Sequence, residues 1–307
     1  MYNILFCSAG RRVKLIQQIK QSLNGRGTVV AIDFDETAPA LYFADRRYKV
    51  PLITDEFYID KLLEICKKDE VDPSIFKIFH EPAELKAAAQ AVAMVRTGVG
   101  DVLMKGSLST DKYMRAILNK EQGLMEPGAI LSHVTLIECP NYHKLLIVGD
   151  VSVIPAPELK EKTAILNYLI NTAKALQIET PKVAVIAATE QVLPKMQACV
   201  DAALLAKMGD RGQIKGAIVD GPLALDVAID KESADIKGLR GPVVGDADCL
   251  LFPNIEAGNV FYKSMTKLAG CEIGAIVVGT KKPCVLSSRG DTVKAKLYSI
   301  ALAALKA

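Results

Sequence analysis

The sequence lacks a marked excess of either charge, and it lacks a hydrophobic run long enough to cross a membrane. It carries 38 basic and 35 acidic residues, which gives a net charge of +3. A charge so nearly balanced gives no electrostatic case for binding nucleic acid. Because a membrane-spanning helix needs about 20 consecutive apolar residues, we also expect no membrane partner.

Paired cysteines are missing as well. The seven cysteines are scattered, their number is odd, and none belongs to a CxxC pair. Most lie in apolar runs, so we interpret them as reduced core residues of a cytoplasmic protein. Residues 1–7 pass directly into a predicted strand without the pattern of a signal peptide, which favours the same location.

The motifs of several common catalytic sites are also absent. No GxSxG or Cys-His pattern predicts a covalent intermediate. His80, His133 and His143 are isolated and have no neighbouring ligand at metal spacing, so no metal site is predicted. The turn at residues 8–12 has one glycine where a dinucleotide fingerprint has three, which favours a tight turn with solvated arginines.

What the chain does have is a regular alternation of short apolar runs and helical patterns. Many of the runs are uninterrupted, as in strands that are covered on both faces. We therefore predict an α/β protein with mostly parallel sheets and helices on both faces. The predicted strands are residues 4–7, 29–33, 75–79, 102–104, 134–138, 145–148, 183–187, 217–220, 249–252 and 273–278.

The strand at residues 102–104 ends on groups that suit an anion. Lys105 adds a positive charge there, and the small hydroxyl residue Ser107 lets a phosphate approach closely. Ser109 or Thr110 could instead open the following helix as its N-cap. The two interpretations are compatible, and a phosphate contact is one prediction for this turn.

Polar side chains also crowd the end of the strand at residues 249–252. Asn254, Glu256 and Asn259 fall within six residues of one another, together with a glycine. Polar groups that are buried need hydrogen-bond partners, so such a cluster is costly if it serves structure alone. A functional loop is therefore favoured over a purely structural turn.

Near the C-terminus, the stretch SSRGD at residues 287–291 has two interpretations. A surface loop could carry these residues for solubility. A site that holds a phosphate and moves a proton could use the guanidinium of Arg289 as a fork on phosphate oxygens, with serine hydroxyls as further donors. In such a site Asp291 could hold a proton or orient Arg289.

Five motifs favour the second interpretation, because they occur in order and at the spacing of one family. From about residue 73 to the C-terminus the chain resembles the phosphate acetyl/butyryltransferase family, and within it the butyryl branch. The motifs are DVLMKG (101–106), GAIVDGPLA (216–224), GDAD (245–248), PNIEAGNVFYK (253–263) and SSRGD (287–291).

Residues 1–72 resemble a different family. The segments ILFCSAGRRV (4–13), APALYFAD (38–45) and YIDKLLEIC (58–66) are similar to the N-terminal Rossmann-like domain of ATP-grasp enzymes of the carbamoyl-phosphate synthase kind. We interpret the chain as a chimera, natural or engineered, in which one α/β segment replaces another of similar shape. We expect it to fold, with an activity that the foreign segment reduces or puts in doubt.

The resemblance to the transferase family implies a two-domain fold like that of isocitrate and isopropylmalate dehydrogenases, with the active site in a cleft between domains. Residues 1–124 and 281–307 would form the first domain. Residues 125–280 would form the second and carry the contact of a homodimer. The implied reaction moves a short-chain acyl group between coenzyme A and inorganic phosphate, with coenzyme A as a substrate and without a cofactor, a metal or a covalent acyl-enzyme.

The same resemblance implies roles for individual residues. Arg289 would bind phosphate and the charge of the transition state, and Ser288 would orient the thiol or the carbonyl. Asp291 is the weaker candidate, for general base. The residues implied to bind substrate are Lys105, Ser107, Asn254, Glu256, Asn259 and Lys267.

Two of these residues depart from the acetyl-specific relatives and favour the butyryl branch: Lys105 replaces a serine, and Lys267 replaces a phosphate-binding arginine of some of them. Three alternatives stay open. The chain could be a phosphate acetyltransferase, or a catalytically silent scaffold. It could also be an ATP-dependent ligase, although it lacks the glycine-rich flap and the paired acidic metal ligands of an ATP-grasp enzyme.

Overall fold

The computed structural model describes residues 2–7, 13–52, 55–70, 72, 74, 77, 79, 81–106, 108–286 and 291–307. The chain divides into two compact units, Met1–Ala83 and Glu84–Ala307. Within the described ranges, no helix is both long enough and apolar enough to cross a membrane.

The first unit contains a three-stranded parallel sheet with the strand order β1-β2-β3. Two α-helices and one 3₁₀ helix, Pro39–Phe43, accompany it. The elements are β1 (Tyr2–Cys7), α1 (Val13–Leu23), β2 (Gly27–Asp33), β3 (Arg46–Lys49) and α2 (Tyr58–Lys68).

Strand β2 is the centre of the first unit because its side chains alternate between the two faces of the sheet. Val29 and Ala31 pack in a buried cluster with Ile16 of α1. Val30 and Ile32, on the other face, belong to a buried cluster with Tyr58 and Ile65 of α2. Strand β3 escaped prediction because its sequence, RRYK, is polar and three of its four residues are exposed.

The second unit is built on an eight-stranded sheet with the order β4-β11-β10-β5-β6-β9-β7-β8. Strand β10 runs antiparallel to β5 and β11, and β5 runs antiparallel to β6; the other pairings are parallel. The strands are β4 (Leu103–Met104), β5 (Ser132–Glu138), β6 (Leu145–Gly149), β7 (Lys182–Ile186), β8 (Ile218–Leu223), β9 (Cys249–Leu251), β10 (Glu272–Val278) and β11 (Cys284–Val285).

Helices cover both faces of this sheet. One buried cluster joins α5, α6 and α10 to Val183 and Val185 of β7, and a second joins α7, α8 and α9 to Ala184 and Ile186 of the same strand. The helices are α3 (Glu84–Arg96), α4 (Thr110–Ile117), α5 (Leu159–Ala175), α6 (Gln197–Asp210), α7 (Leu225–Ile229), α8 (Lys231–Ile236), α9 (Ile255–Lys267) and α10 (Val293–Lys306).

Two very short strands, β4 and β11, are held together by a buried tyrosine of α4. The Tyr113 hydroxyl lies 2.9 Å from the carbonyl oxygen of Leu103 and 3.2 Å from that of Val285. Tyr113 is almost fully buried, and burial raises the pKa of its phenol. The phenol therefore stays protonated and satisfies carbonyl groups at a place where the sheet ladder is only two residues long.

The predicted fold class is confirmed: the protein is α/β, its strands pair mostly in parallel, and helices lie on both faces. The strand predicted to end at residue 220 continues to Leu223: β8 carries one extra residue at Gly221-Pro222, after which its pairing with β7 resumes at Leu223 and Ile186. The strand predicted at residues 75–79 lies largely outside the described residues.

The domain boundaries near residues 124 and 280 fall within the second unit and stay a prediction.

A buried ion pair between α5 and α6 tests how this unit is held together. Lys162 Nζ lies 2.6 Å from Asp201 Oδ2, both side chains are almost fully buried, and Gln197 donates to the same carboxylate at 2.8 Å. We expect Asp201→Ala to lower the free energy of unfolding by about 3–5 kcal/mol, because it leaves the Lys162 ammonium buried without a counter-charge.

Urea unfolding measures this effect. The matched control is Asp210→Ala, which breaks the exposed pair Lys207–Asp210. Because exposed ion pairs contribute little, the control is expected to unfold with the wild-type midpoint. Equal unfolding midpoints for the two variants would contradict the prediction.

Candidate active site

A cleft of about 590 Å³ lies in the second unit, at the level where its shortest strands end. The sheet register aligns His133 with Val277, Val277 with Cys284 and Cys284 with Leu103, so β5, β10, β11 and β4 share this level. Residues that follow β4, β6 and β11 line the cleft at this level. The lining residues include Lys105, Ser109, Thr110, His133, Val151, Ser152, Asn259, Tyr262, Lys263 and Asp291.

The wall formed by α9 depends on a glycine. A Cβ atom on Gly258 would lie 2.4 Å from the backbone oxygen of Asp150, so only glycine lets the helix approach the segment after β6 this closely. Asn254 opens the helix as its N-cap and accepts a hydrogen bond of 2.9 Å from the amide of Ala257. One turn further on, Asn259 donates to the carbonyl oxygen of Val151 at 2.9 Å.

The segment after β6 is fixed by one buried carboxylate, that of Asp150. It accepts hydrogen bonds from the Ser132 hydroxyl at 2.9 Å and from the amides of Ser152 at 2.7 Å and Val153 at 2.9 Å. Only 2% of Asp150 is exposed. These hydrogen bonds tie the turn after β6 to the start of β5.

His133 lies beside this carboxylate at the wall of the cleft. Its Nδ1 atom is 3.2 Å from the hydroxyl of Thr135, and only 7% of the residue is exposed. Burial lowers the pKa of the imidazole, and the charges of Asp150 and Asp291 oppose this shift only in part. His133 is therefore neutral near pH 7 and has a nitrogen able to accept a proton.

The opposite wall carries a buried cation. Lys105 is only 8% exposed, and its Nζ donates to the carbonyl oxygen of Leu108 at 2.8 Å. Among the residues described by the structure, no carboxylate pairs with it. The first turn of α4, with Ser109 at its N-cap, opens onto the same cleft. A buried ammonium beside a helix N-terminus favours an anionic ligand.

Helix α9 adds a hydrogen-bond donor and a second cation. Burial, and then the charge of Asp291, raise the pKa of Tyr262 to about 12, so its hydroxyl remains protonated. Lys263 Nζ lies 4.7 Å from the centre of the Tyr262 ring. Together with Lys105, these groups give the cleft donors and positive charge around a neutral imidazole.

The structure brings together some of the residues predicted from the sequence. Lys105, Asn259 and Asp291 line the cleft. Asn254 caps α9, and Glu256 and Lys267 are exposed on that helix; these three do not line the cleft, and their substrate roles stay predictions. Ser107, Ser288 and Arg289 lie outside the described residues.

Sequence reasoning missed His133, Tyr262 and Lys263. The sequence analysis weighed His133 only as a metal ligand, but in the structure it lines the cleft. A usable signal was present: Ser132-His133 stands directly before the predicted strand at residues 134–138, and polar side chains need partners where they are buried. Among the described residues, no cluster of three or more His, Cys, Asp or Glu side chains could hold a metal ion.

The protein is thus an α/β protein whose cleft combines a buried lysine with a neutral imidazole. The chain belongs to the phosphate acetyl/butaryl transferase family, whose model matches residues 49–304. The family predicted from the five ordered motifs is therefore confirmed.

Three known proteins illustrate the similarity. The chain is 49% identical to the phosphate butyryltransferase of Clostridium acetobutylicum over 248 residues, 81% of this chain and 82% of that protein. It is 37% identical to the phosphate acetyltransferase of Thermotoga maritima over 295 residues, 94% and 99% of the two chains. A solved branched-chain phosphotransacylase from Enterococcus faecalis V583 matches with a TM-score of 0.71 and 28% identity, covering 100% of this chain and 99% of that chain.

The close approach at Gly258 generates a testable expectation. Gly258→Ala forces a methyl group against the Asp150 backbone, so the free energy of unfolding should fall by about 1–3 kcal/mol and phosphate binding in the cleft should weaken. The matched control is Gly100→Ala, whose Cβ would meet Val95 at an ordinary 3.4 Å. Urea unfolding and calorimetric titration of phosphate measure both effects, and wild-type stability of Gly258→Ala would refute the packing argument.

Proposed function

We propose that the chain transfers a butyryl group between coenzyme A and inorganic phosphate, by direct attack within the cleft of the second unit. The observation that carries this proposal is the buried Lys105 ammonium, which faces the cleft without a carboxylate partner among the described residues. Such a cation needs a negative ligand, and phosphate supplies one.

The reaction is suited to these groups. The sulfur of coenzyme A attacks the carbonyl carbon of butyryl phosphate, the new carbon–sulfur bond forms, and the carbon–oxygen bond to phosphate breaks. Negative charge grows on the carbonyl oxygen and on the departing phosphate. Lys105, the first turn of α4 and the protonated Tyr262 hydroxyl supply fixed positive charge and donors for those oxygens.

The family resemblance adds Arg289 and Ser288 to this mechanism. A guanidinium can donate hydrogen bonds to two phosphate oxygens at once, and a neighbouring hydroxyl can orient the thiol or the carbonyl. Asp291, at the cleft, remains a candidate for general base. Ser107, Asn254, Glu256 and Lys267 complete the substrate-binding set that the resemblance implies.

The butyryl group is favoured over the acetyl group for two reasons. The clostridial protein named as a butyryltransferase shares more identity with the chain than the Thermotoga protein named as an acetyltransferase. Lys105 also replaces the serine of acetyl-specific relatives. Kinetics with acyl groups of two to five carbons separate the two candidates, since a phosphate acetyltransferase would prefer the shortest.

Several features of the assembly belong to the same proposal. A homodimer that forms through residues 125–280, a first domain of residues 1–124 and 281–307, and a cytoplasmic location all fit a family of this kind. The ATP-grasp-like origin of residues 1–72 rests on the segments at 4–13, 38–45 and 58–66. Calorimetry with ATP and magnesium tests whether that segment binds a nucleotide.

Turnover decides whether the protein is an active transferase or a silent scaffold. Butyryl coenzyme A and phosphate should release free thiol, which a chromogenic disulfide reports. Arg289→Ala should lower kcat/KM by roughly 10²–10³-fold, because a fixed charge aimed at the transition state is lost. No turnover by the wild type, or full turnover by this variant, would count against the proposal.

Lys105→Met tests the phosphate contact. Loss of a charged hydrogen bond costs about 1.5–3 kcal/mol, so KM for phosphate should rise roughly 10–100-fold while KM for butyryl coenzyme A changes little. The control is Lys282→Met: this lysine pairs with Asp101 at 3.1 Å and does not line the cleft. Initial rates at varied phosphate measure both variants, and equal values of KM would remove Lys105 from the site.

A further inference from the structure

His133 has a setting that binding alone does not explain. The imidazole is nearly buried, lines the cleft, and has one nitrogen, Nδ1, at 3.2 Å from the Thr135 hydroxyl. Its other nitrogen, Nε2, has no hydrogen-bond partner among the residues that the structure describes. A buried ring that lines a ligand cleft, with one nitrogen fixed and the other without a protein partner in the described part of the chain, is suited to proton transfer.

We propose that His133 is the general base that removes the proton from the thiol of coenzyme A, with Thr135 as a positioning residue. This inference rests on the proposed transferase function and replaces Asp291 as the proton acceptor. The active tautomer carries its proton on Nδ1 and donates it to the Thr135 hydroxyl oxygen, which leaves the Nε2 lone pair for the thiol.

The step balances. The sulfur–hydrogen bond breaks, the proton moves to Nε2, and the thiolate sulfur bonds to the carbonyl carbon while phosphate departs. The imidazolium then releases its proton to solvent. In the reverse direction the imidazolium protonates the departing thiolate, so one residue serves both directions.

The charges around His133 favour this role. Asp150, after β6, and Asp291, before α10, act on the ring as negative charges, and both stabilise an imidazolium once it forms. Lys105, Tyr262 and Lys263 also line the cleft. Burial keeps the resting ring neutral, so it is ready to accept a proton, and the two carboxylates limit the cost of the charged form.

Asp291 is less suited to the step. Carboxylates as a class are weak bases toward a thiol, whose ordinary pKa is about 8.5. A neutral imidazole is a much closer match, since general-base catalysis is most efficient when the base titrates near the working pH. Asp291 instead provides charge that stabilises the protonated ring.

The kinetic test uses His133→Asn with thioester formation from butyryl phosphate and coenzyme A. We expect kcat to fall roughly 10²–10⁴-fold with KM values within about threefold of wild type. For the wild type, kcat/KM should decline with falling pH through a midpoint below the ordinary histidine value of 6.5, because the active ring is the neutral one. In the variant this midpoint should disappear, and the decline with falling pH should begin instead near the thiol's own pKa of about 8.5.

High pH should rescue the variant, which a merely structural role would not produce. Without a base, the rate should follow the thiolate concentration and rise about tenfold per pH unit until the thiol's own pKa near 8.5. The matched control is His143→Asn: this histidine is exposed, pairs with Asp246 at 2.8 Å and does not line the cleft. Its rate and pH profile should equal those of the wild type.

Histidine NMR supplies a readout that needs no turnover. With three histidines in the chain, the His133 signal can be assigned by its loss in His133→Asn. It should titrate below pH 6.5, and Asp150→Asn should lower its midpoint further by removing a stabilising charge. Asp291→Asn gives the same test if the Asp150 variant does not fold. A His133 midpoint above pH 6.5 would overturn the proposal.

Three outcomes distinguish failure of the proposed transferase function from failure of His133 as its general base. No thioester formation by the wild type overturns the transferase function and this proposal with it. Turnover by the wild type with an unchanged His133→Asn variant overturns this proposal alone. If Asp291→Asn abolishes the acid limb while His133→Asn keeps it, Asp291 is the base and His133 is not.

Discussion

The rest of the cleft depends on the hydrogen bonds that the Asp150 carboxylate accepts. They tie the turn after β6 to the start of β5, and the Asp150 backbone is the surface that Gly258 contacts. The position of α9, and with it Asn259 and Tyr262, follows from that contact. A buried carboxyl group is tolerated only because nearby donors satisfy its oxygens. Asp150 therefore determines both the packing of the turn after β6 and the electrostatics of the cleft.

Much of the fold could be predicted because long apolar strands and amphipathic helices carry strong local signals. Strands such as β5, β7 and β10 were found within two residues of their ends. Strands β3 and β11 were not, because one is a polar edge strand and the other is two residues long. Their pairing is set by neighbours distant in sequence, which a local pattern does not contain.

The candidate site was only partly predictable. Lys105 follows β4 and Asp291 precedes α10, while Asn259 lies in the second turn of α9, close to the polar cluster that follows β9. Asn254 also stood at such an end, yet its side chain caps α9, so the same local pattern serves two purposes. His133 lies within a strand, and its importance comes from carboxylates that tertiary folding brings beside it.

The buried phenol of Tyr113 has a consequence for how sites of this type diverge. Its hydroxyl contacts carbonyl groups of β4 and β11, the two strands that precede the segments beginning at residues 105 and 286. The distance between the points where these two segments leave the sheet is therefore set by the strands and Tyr113, and not by the segments themselves. Evolution can exchange the chemical groups that the loops carry while the span a substrate must bridge stays constant.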